Sequence, residues 1–227
     1  QISDFLVKTL LLTSDVVLDP KEKKARVKEF INPELCLITE DLVYTEPFHI
    51  GARNNMEEAL EEFHRQEIVE DQELVLEVAK LKFDFMNNAQ ALLHGDLHTG
   101  SIFVNERYTK VIDPEFAFYG PMAYDIGALV ANLIMNYIST KAVLEEGPLK
   151  EKHMAFLRQS IREVIDLFKE KSYAMWDGVV KDQMAKSKGF KEHYIQDVLV
   201  NTAGVAGCEM VRRTVGFAHV KDLDSIP

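Results

Sequence analysis

Cysteine is scarce in this chain of 227 residues, which holds only Cys36 and Cys208. The two lie far apart and neither belongs to a C-x-x-C pair, so the sequence offers neither a zinc-binding spacing nor a disulfide framework. Free thiols are typical of proteins in a reducing compartment. We therefore expect a cytoplasmic protein whose fold rests on its apolar core.

Long hydrophobic runs are also missing. The longest apolar stretch, residues 126–138, covers about 13 residues and contains Asn132 and Asn136. A membrane-spanning helix needs about 20 apolar residues. The stretch therefore predicts a buried helix, and we expect no membrane partner.

Positive charge is in deficit, because 26 Lys and Arg residues stand against 37 Asp and Glu residues, for a net charge of −11. Proteins that bind nucleic acid or anionic lipid need a basic surface to neutralise phosphates. The charge balance therefore disfavours nucleic acid and membrane surfaces as main partners.

Helical periodicity dominates the patterns that are present. Apolar residues recur every three or four positions over residues 71–93, which predicts a long amphipathic helix. Weaker helical patterns cover residues 2–14, 20–30, 125–137, 149–173 and 191–211. Two short β-prone runs, residues 102–104 and 111–112, flank a polar link and predict a hairpin. We predict an α+β fold that is mostly helical, with a small central β-hairpin.

Candidate chemistry flanks that hairpin. Residues 94–98, His-Gly-Asp-Leu-His, precede its first strand, and Asp113-Pro114-Glu115 follows its second. A loop carboxylate can accept the proton of a substrate hydroxyl, and carboxylate oxygens suit Mg²⁺. Because the two strings lie at neighbouring ends of one β element, Asp96 is a candidate proton acceptor, while Asp113 and Glu115 are candidate Mg²⁺ ligands.

Other interpretations of the same residues stay open. Residues 94–98 fit a polar loop without chemistry, and Asp113 fits a turn ahead of a proline. His94, Asp96 and His98 also form an HxDxH string, which occurs in transition-metal hydrolases. The remaining histidines show no companion spacing that would complete such a metal site.

Three segments resemble the catalytic half of the choline and aminoglycoside kinase superfamily: residues 94–102, 112–121 and 124–127. In that superfamily the fifth residue after the catalytic Asp is usually Asn, a metal ligand, whereas this chain has Ser101. His-Thr-Gly-Ser combined with Asp-Pro-Glu-Phe-Ala-Phe-Tyr-Gly-Pro is similar to the methylthioribose kinases. The resemblance implies a protein-kinase-like C-terminal lobe that uses ATP and Mg²⁺.

The resemblance also implies roles for individual residues. Asp96 would be the catalytic base and contact the substrate. Asp113, Pro114 and Glu115 would bind the nucleotide, with the two carboxylates holding Mg²⁺. The equivalent of Asp125 braces the catalytic loop in the superfamily, although local chemistry alone makes Asp125 a helix N-cap.

Adjacent arginines, Arg212 and Arg213, follow an apolar helical pattern near the end of the chain. Cations at a helix C-terminus are usually solvated or ion-paired, where they also suit the helix dipole. The resemblance instead implies that Arg212 and Arg213 bind the sugar substrate. An arginine fork can hold sugar hydroxyls and offset charge on a transferring phosphoryl group.

The resemblance to the methylthioribose kinases implies transfer of the ATP γ-phosphoryl group to the 1-hydroxyl of 5-methylthioribose, a step of methionine salvage. A kinase acting on choline, an aminoglycoside or homoserine is the near alternative, although the sequence shows no aromatic cage for choline. A non-catalytic binding module with a kinase-like lobe is a third possibility.

Kinases of this kind also have a glycine-rich loop followed by a strand lysine, and neither precedes His94. We therefore expect residues 1–227 to form the substrate-binding and catalytic C-terminal lobe, without the N-terminal lobe that grips ATP. On this interpretation the isolated chain is inactive or nearly so. A homodimer is a further expectation from the resemblance.

Overall fold

The computed structural model describes residues 1–226. Its helices and strands are α1 (Ile2–Leu12), α2 (Pro20–Glu29), α3 (Pro33–Tyr44), α4 (Glu58–Phe63), α5 (Gln72–Asn87), β1 (Ala91–Leu92), β2 (Ile102–Val104), β3 (Thr109–Val111), β4 (Tyr119–Gly120), α6 (Ala123–Val143), α7 (Pro148–Val179), α8 (Phe190–Val215) and α9 (Lys221–Asp224). The mostly helical α+β class is confirmed.

Local chemistry explains where several helices begin. The Asp19 side chain accepts hydrogen bonds from the backbone N–H groups of Lys21 and Glu22, at 2.9 and 3.3 Å, and Pro20 opens α2. Asp71 caps α5 in the same way. Such caps satisfy N–H groups that have no partner within the helix.

The core forms around α6, which packs against α7 and α8. Ile126, Leu129 and Met135 of α6 are almost completely buried. Within the described residues, α6 is the one helix whose length and composition would allow it to cross a membrane. Its burial by neighbouring helices accounts for its apolar character, as the sequence predicted.

The structure contains the predicted hairpin and a second small sheet. β2 and β3 pair antiparallel, with Ile102 opposite Val111, so the hairpin is confirmed. A second antiparallel pair, β1 with β4, was not predicted, since each strand has two residues. The helix predicted over residues 71–93 is shorter in the structure: α5 ends at Asn87, because the chain leaves the helix to form β1.

The helix predicted over residues 149–173 is longer in the structure. α7 continues to Val179, and Trp176 is fully buried inside it. Its indole ring packs edge-on against Tyr194 of α8, with 5.4 Å between ring centroids. The only tryptophan therefore packs α7 against α8.

Candidate active site

The segment that carries Asp96 turns sharply as it leaves β1. Gly95 has φ = +84°, a left-handed conformation that favours glycine, and a Cβ atom there would collide with the carbonyl oxygen of Phe116. Leu93 N–H donates to the Phe118 carbonyl at 2.9 Å, so the turn begins from a fixed strand end. The glycine therefore directs residues 96–98 out of the sheet.

The Asp125 side chain binds the backbone at the start of this turn. Its carboxylate accepts hydrogen bonds from the N–H groups of His94, at 2.7 Å, and Gly95, at 2.9 Å. Burial raises the pKa of Asp125, and the two N–H groups oppose that rise. Asp125 lies inside the first turn of α6, after the N-cap residue Met122, so the N-cap interpretation is wrong and the brace is observed.

His94 joins the two acidic strings. Its Nε2 lies 2.8 Å from the Ile112 carbonyl oxygen, so Nε2 carries the proton, and its Nδ1 accepts from the Asp96 N–H at 3.3 Å. Ile112 N–H in turn donates to the Ser101 carbonyl at 3.0 Å. Ile112 is thus bonded to the loop that carries Asp96 through both its backbone groups, which places the adjacent Asp113 beside that loop.

The same contacts weigh against a transition-metal hydrolase. Both ring nitrogens of His94 are engaged, and the side chain is buried. Within residues 1–226, no three His, Cys, Asp or Glu side chains gather into a group that could hold a metal ion. A catalytic zinc site needs three protein ligands.

Asp96 itself is open to a substrate, with 37% of its side chain exposed. His98 Nε2 lies 3.6 Å from Asp96 Oδ2 and 3.3 Å from Ser101 Oγ. His98 Nδ1 accepts from the Gly100 N–H at 3.0 Å, so a neutral His98 carries its proton on Nε2 and directs it toward Asp96 and Ser101. The surroundings of Asp96 thus orient the carboxylate without covering it.

Asp113 and Glu115 are both exposed on the connection that follows β3. Asp113 has φ = +66°, which is uncommon outside glycine, and this turns the chain at the end of the strand. Asn32 Nδ2 donates to the Glu115 carbonyl at 2.8 Å, so the backbone of this connection is held by the start of α3. Mg²⁺ is commonly held by one or two carboxylates, with phosphates and water completing the shell. Two exposed carboxylates fit that need.

The arginine pair lies in the last turn of α8 and is not solvated. Arg212 is 9% exposed, and its Nε lies 2.9 Å from Oε2 of the buried Glu209. Arg213 Nε lies 3.8 Å from the same oxygen, and Arg213 Nη1 donates to the Ala218 carbonyl at 3.2 Å. The pair is therefore ion-paired inside the protein.

The pKa values of both arginines depend on nearby carboxylates, including Asp96. Burial lowers the pKa of Arg212, but the negative charges of Glu209 and, more weakly, Asp96 outweigh it, and the net pKa is raised. Burial and the like charge of Arg212 lower the pKa of Arg213, against the opposing charges of Glu209 and Asp96. The negative charge of Asp96 thus acts to raise the pKa of both arginines.

Sequence reasoning missed Glu209 and Tyr124. Tyr124 is fully buried, and its hydroxyl lies 3.5 Å from Glu209 Oε1. A signal was present, because Glu209 precedes the two arginines by three and four positions, which places them together on a helix surface.

An exposed loop aspartate next to a strand end that is followed by two carboxylates, on a mostly helical fold, is typical of a kinase-like phosphotransferase. The chain belongs to the phosphotransferase enzyme family, whose profile matches residues 31–146. It is similar to proteins named methylthioribose kinase. That of Geobacillus kaustophilus is 44% identical over 225 residues, covering 99% of this chain and 54% of the relative. That of Pectobacterium atrosepticum is 42% identical over 229 residues, covering 100% and 56%. The chain spans about half the length of the curated relatives it matches.

Proposed function

We propose that this chain supplies the catalytic part of an ATP-dependent kinase that phosphorylates the 1-hydroxyl of 5-methylthioribose. The observation that supports this most is the position of Asp96. Its half-exposed carboxylate stands on a braced loop, with Asp113 fixed beside that loop through Ile112 and with Arg212 and Arg213 within reach of its charge. Relatives that align over the whole chain are named methylthioribose kinase.

In this proposal each group has a defined task. Asp96 accepts the proton of the sugar hydroxyl as that oxygen attacks the γ-phosphorus. Arg212 and Arg213 hold the sugar and offset charge on the transferring phosphoryl group. Asp113 and Glu115 would hold Mg²⁺ in the nucleotide site formed with Pro114, and the ion would neutralise charge on the phosphates when bound.

We further propose that residues 1–227 form the substrate-binding and catalytic lobe and that ATP is gripped by elements outside them. The printed sequence has no glycine-rich loop followed by a strand lysine before His94. The expected compartment is the cytoplasm, since Cys36 and Cys208 are both free thiols and free thiols are typical of a reducing environment.

The test compares acceptors, using protein expressed from the complete gene. ATP-dependent phosphorylation is measured with 5-methylthioribose, choline, homoserine and an aminoglycoside as competing acceptors. Selective turnover of the thiosugar supports the proposal. Turnover of another acceptor would contradict the substrate assignment, and no turnover of any acceptor would favour a non-catalytic binding module.

A further inference from the structure

A buried carboxylate lies under the arginine pair. Glu209 is 2% exposed, and its Oε2 faces both Arg212 Nε, at 2.9 Å, and Arg213 Nε, at 3.8 Å. Its other oxygen, Oε1, lies 3.5 Å from the Tyr124 hydroxyl. One buried carboxylate is therefore the ion-pair partner of both guanidinium groups, and its other oxygen contacts α6 through Tyr124.

This arrangement leaves the outer donors of the arginines available. Within residues 1–226, the Nη groups of Arg212 donate to no protein acceptor, and Arg213 uses one Nη group, toward the Ala218 carbonyl. A guanidinium group is a rigid planar fork of five N–H donors, so the attraction of a buried carboxylate on the Nε side favours one orientation of the whole group. Glu209 is thus the carboxylate whose charge can orient both Arg212 and Arg213.

A contribution to folding stability does not by itself explain the buried cluster of Glu209, Arg212 and Arg213. A buried ion pair is often no more stabilising than apolar residues of the same volume, because both charges must leave water. Here two arginines share a single buried carboxylate, and the next negative charge that acts on both is Asp96. Two guanidinium groups and one carboxylate leave the cluster of Glu209, Arg212 and Arg213 with a net positive charge.

Helix α6 contacts both Glu209 and the loop that carries Asp96. Tyr124 contacts Glu209, and its neighbour Asp125 accepts the His94 and Gly95 N–H groups. Two consecutive residues of α6 therefore connect the arginine pair with the loop that carries Asp96. The relative position of the two depends on this one turn of helix.

We propose that Glu209 is a positioning residue of the phosphoryl-acceptor site: its carboxylate holds the guanidinium groups of Arg212 and Arg213 in register with Asp96. Glu209 itself does not touch the substrate. The proposal rests on the proposed function, because the acceptor is the sugar that the arginines bind there.

The test measures steady-state kinetics of the complete protein with thiosugar and ATP varied separately. Because Glu209→Gln removes the negative charge that both guanidinium groups face, and misplaced binding groups cost roughly up to a hundredfold, the substitution is expected to raise the thiosugar KM about tenfold or more and leave the ATP KM unchanged. In an Arg212→Gln background the same substitution should add less than about twofold, since residues that act through one another are not additive. Additive effects, or an unchanged thiosugar KM, would overturn the proposal.

Matched variants separate positioning from general stability. Glu192→Gln removes an exposed carboxylate from the same helix, and Val198→Ala weakens its buried face away from the arginines. Both should leave the thiosugar KM unchanged, while Val198→Ala lowers the unfolding temperature. Glu209→Asp keeps the buried charge and moves the carboxylate by one methylene, so it protects folding. We expect it to raise the thiosugar KM severalfold, and a wild-type KM in Glu209→Asp would also overturn the proposal.

A second readout needs no substrate. In protein labelled with ¹⁵N at arginine, the Nε–H signals of Arg212 and Arg213 should shift and exchange faster with water in Glu209→Asp, and should stay unchanged in Glu192→Gln. If the wild type does not phosphorylate the thiosugar, the proposed function fails and Glu209 is judged on these signals, where no change would overturn its role.

Discussion

At the scale of single residues, the candidate site consists of the Asp96 carboxylate and the few side chains next to it. Asp96 is exposed enough to meet a hydroxyl, and His98 and Ser101 lie beside it. Asp113 lies one residue beyond Ile112, whose carbonyl and N–H both bond the same loop. At this scale the account assigns proton transfer to one carboxylate and metal binding to two others.

The metal assignment makes a prediction at this scale. Asp113→Asn should lower kcat by about a hundredfold or more, because electrostatic stabilisation at a phosphoryl group is lost. It should also raise the MgCl₂ concentration needed for half-maximal rate, measured by titrating Mg²⁺ at fixed ATP. Glu106→Gln, an exposed change in the turn of the same hairpin, is the control and should match the wild type. An unchanged Mg²⁺ titration in Asp113→Asn would argue against the ligand role.

At the scale of elements, the site depends on the contact between α6 and α8. α6 supplies Asp125 and Tyr124, and α8 supplies Glu209 and the arginine pair. The helices approach closely at Gly127, where a Cβ atom would lie 2.7 Å from Val205 Cβ and 3.0 Å from the Thr202 carbonyl oxygen. Glycine is required there for the helices to meet.

Gly127→Ala is therefore expected to destabilise the protein by about 1–3 kcal/mol, because overpacking forces the helices apart. Chemical denaturation measures this free energy of unfolding. Gly207→Ala on α8 is the matched control, since nothing lies within 4 Å of an added Cβ atom. Alanine in a helix interior is favoured over glycine by about 0.5–1 kcal/mol, so this control should be stabilising. Equal effects of the two substitutions would contradict the packing argument.

The loop brace gives another prediction for these elements. Asp125→Asn replaces one carboxylate oxygen with an NH₂ group that faces a backbone N–H, so one buried donor loses its acceptor, at a cost of about 1–3 kcal/mol. We expect a lower unfolding temperature and a lower kcat, because the turn before Asp96 loosens. Wild-type kcat in a folded Asp125→Asn protein would show that the brace does not act on catalysis.

Prediction from sequence succeeded where the pattern was local and failed where it was not. The 3.6-residue periodicity gave most helices, and the hairpin followed from two β-prone runs. The β1–β4 pair joins residues almost thirty positions apart with two residues per strand, so no local pattern marks it. Asp125 and Glu209 show the same limit: their residue types were visible, but their partners on other elements were not.

At the scale of the whole molecule, His219 ties the end of α8 to a distant loop. Its Nδ1 lies 2.9 Å from Asp224 Oδ1, and its Nε2 contacts the Asn55 carbonyl. The Asn55 N–H also donates to the Val215 carbonyl, at 3.1 Å. Burial lowers the pKa of His219, but the hydrogen bonds to Asp224 and Asn55 outweigh it, and the pKa is raised above its ordinary value of 6.5.

This shift predicts how stability depends on pH. A pKa raised in the folded state contributes stability that is fully present below the unfolded pKa, near pH 6.5, and is lost as pH rises through the folded pKa. The unfolding temperature of His219→Gln should therefore fall further below that of the wild type at pH 6 than at pH 8.5. His193→Gln, an exposed change on α8, should show no such difference. A gap that is independent of pH would contradict the assignment.

The most direct test of the central claim is the kcat of Asp96→Asn relative to the wild type, in protein from the complete gene with ATP and 5-methylthioribose both saturating. General-base catalysis contributes about 10²–10⁴-fold, so the account predicts a loss of that size with the thiosugar still bound. A kcat within a few fold of the wild type would show that Asp96 does not take the proton, and the proposed mechanism would be wrong.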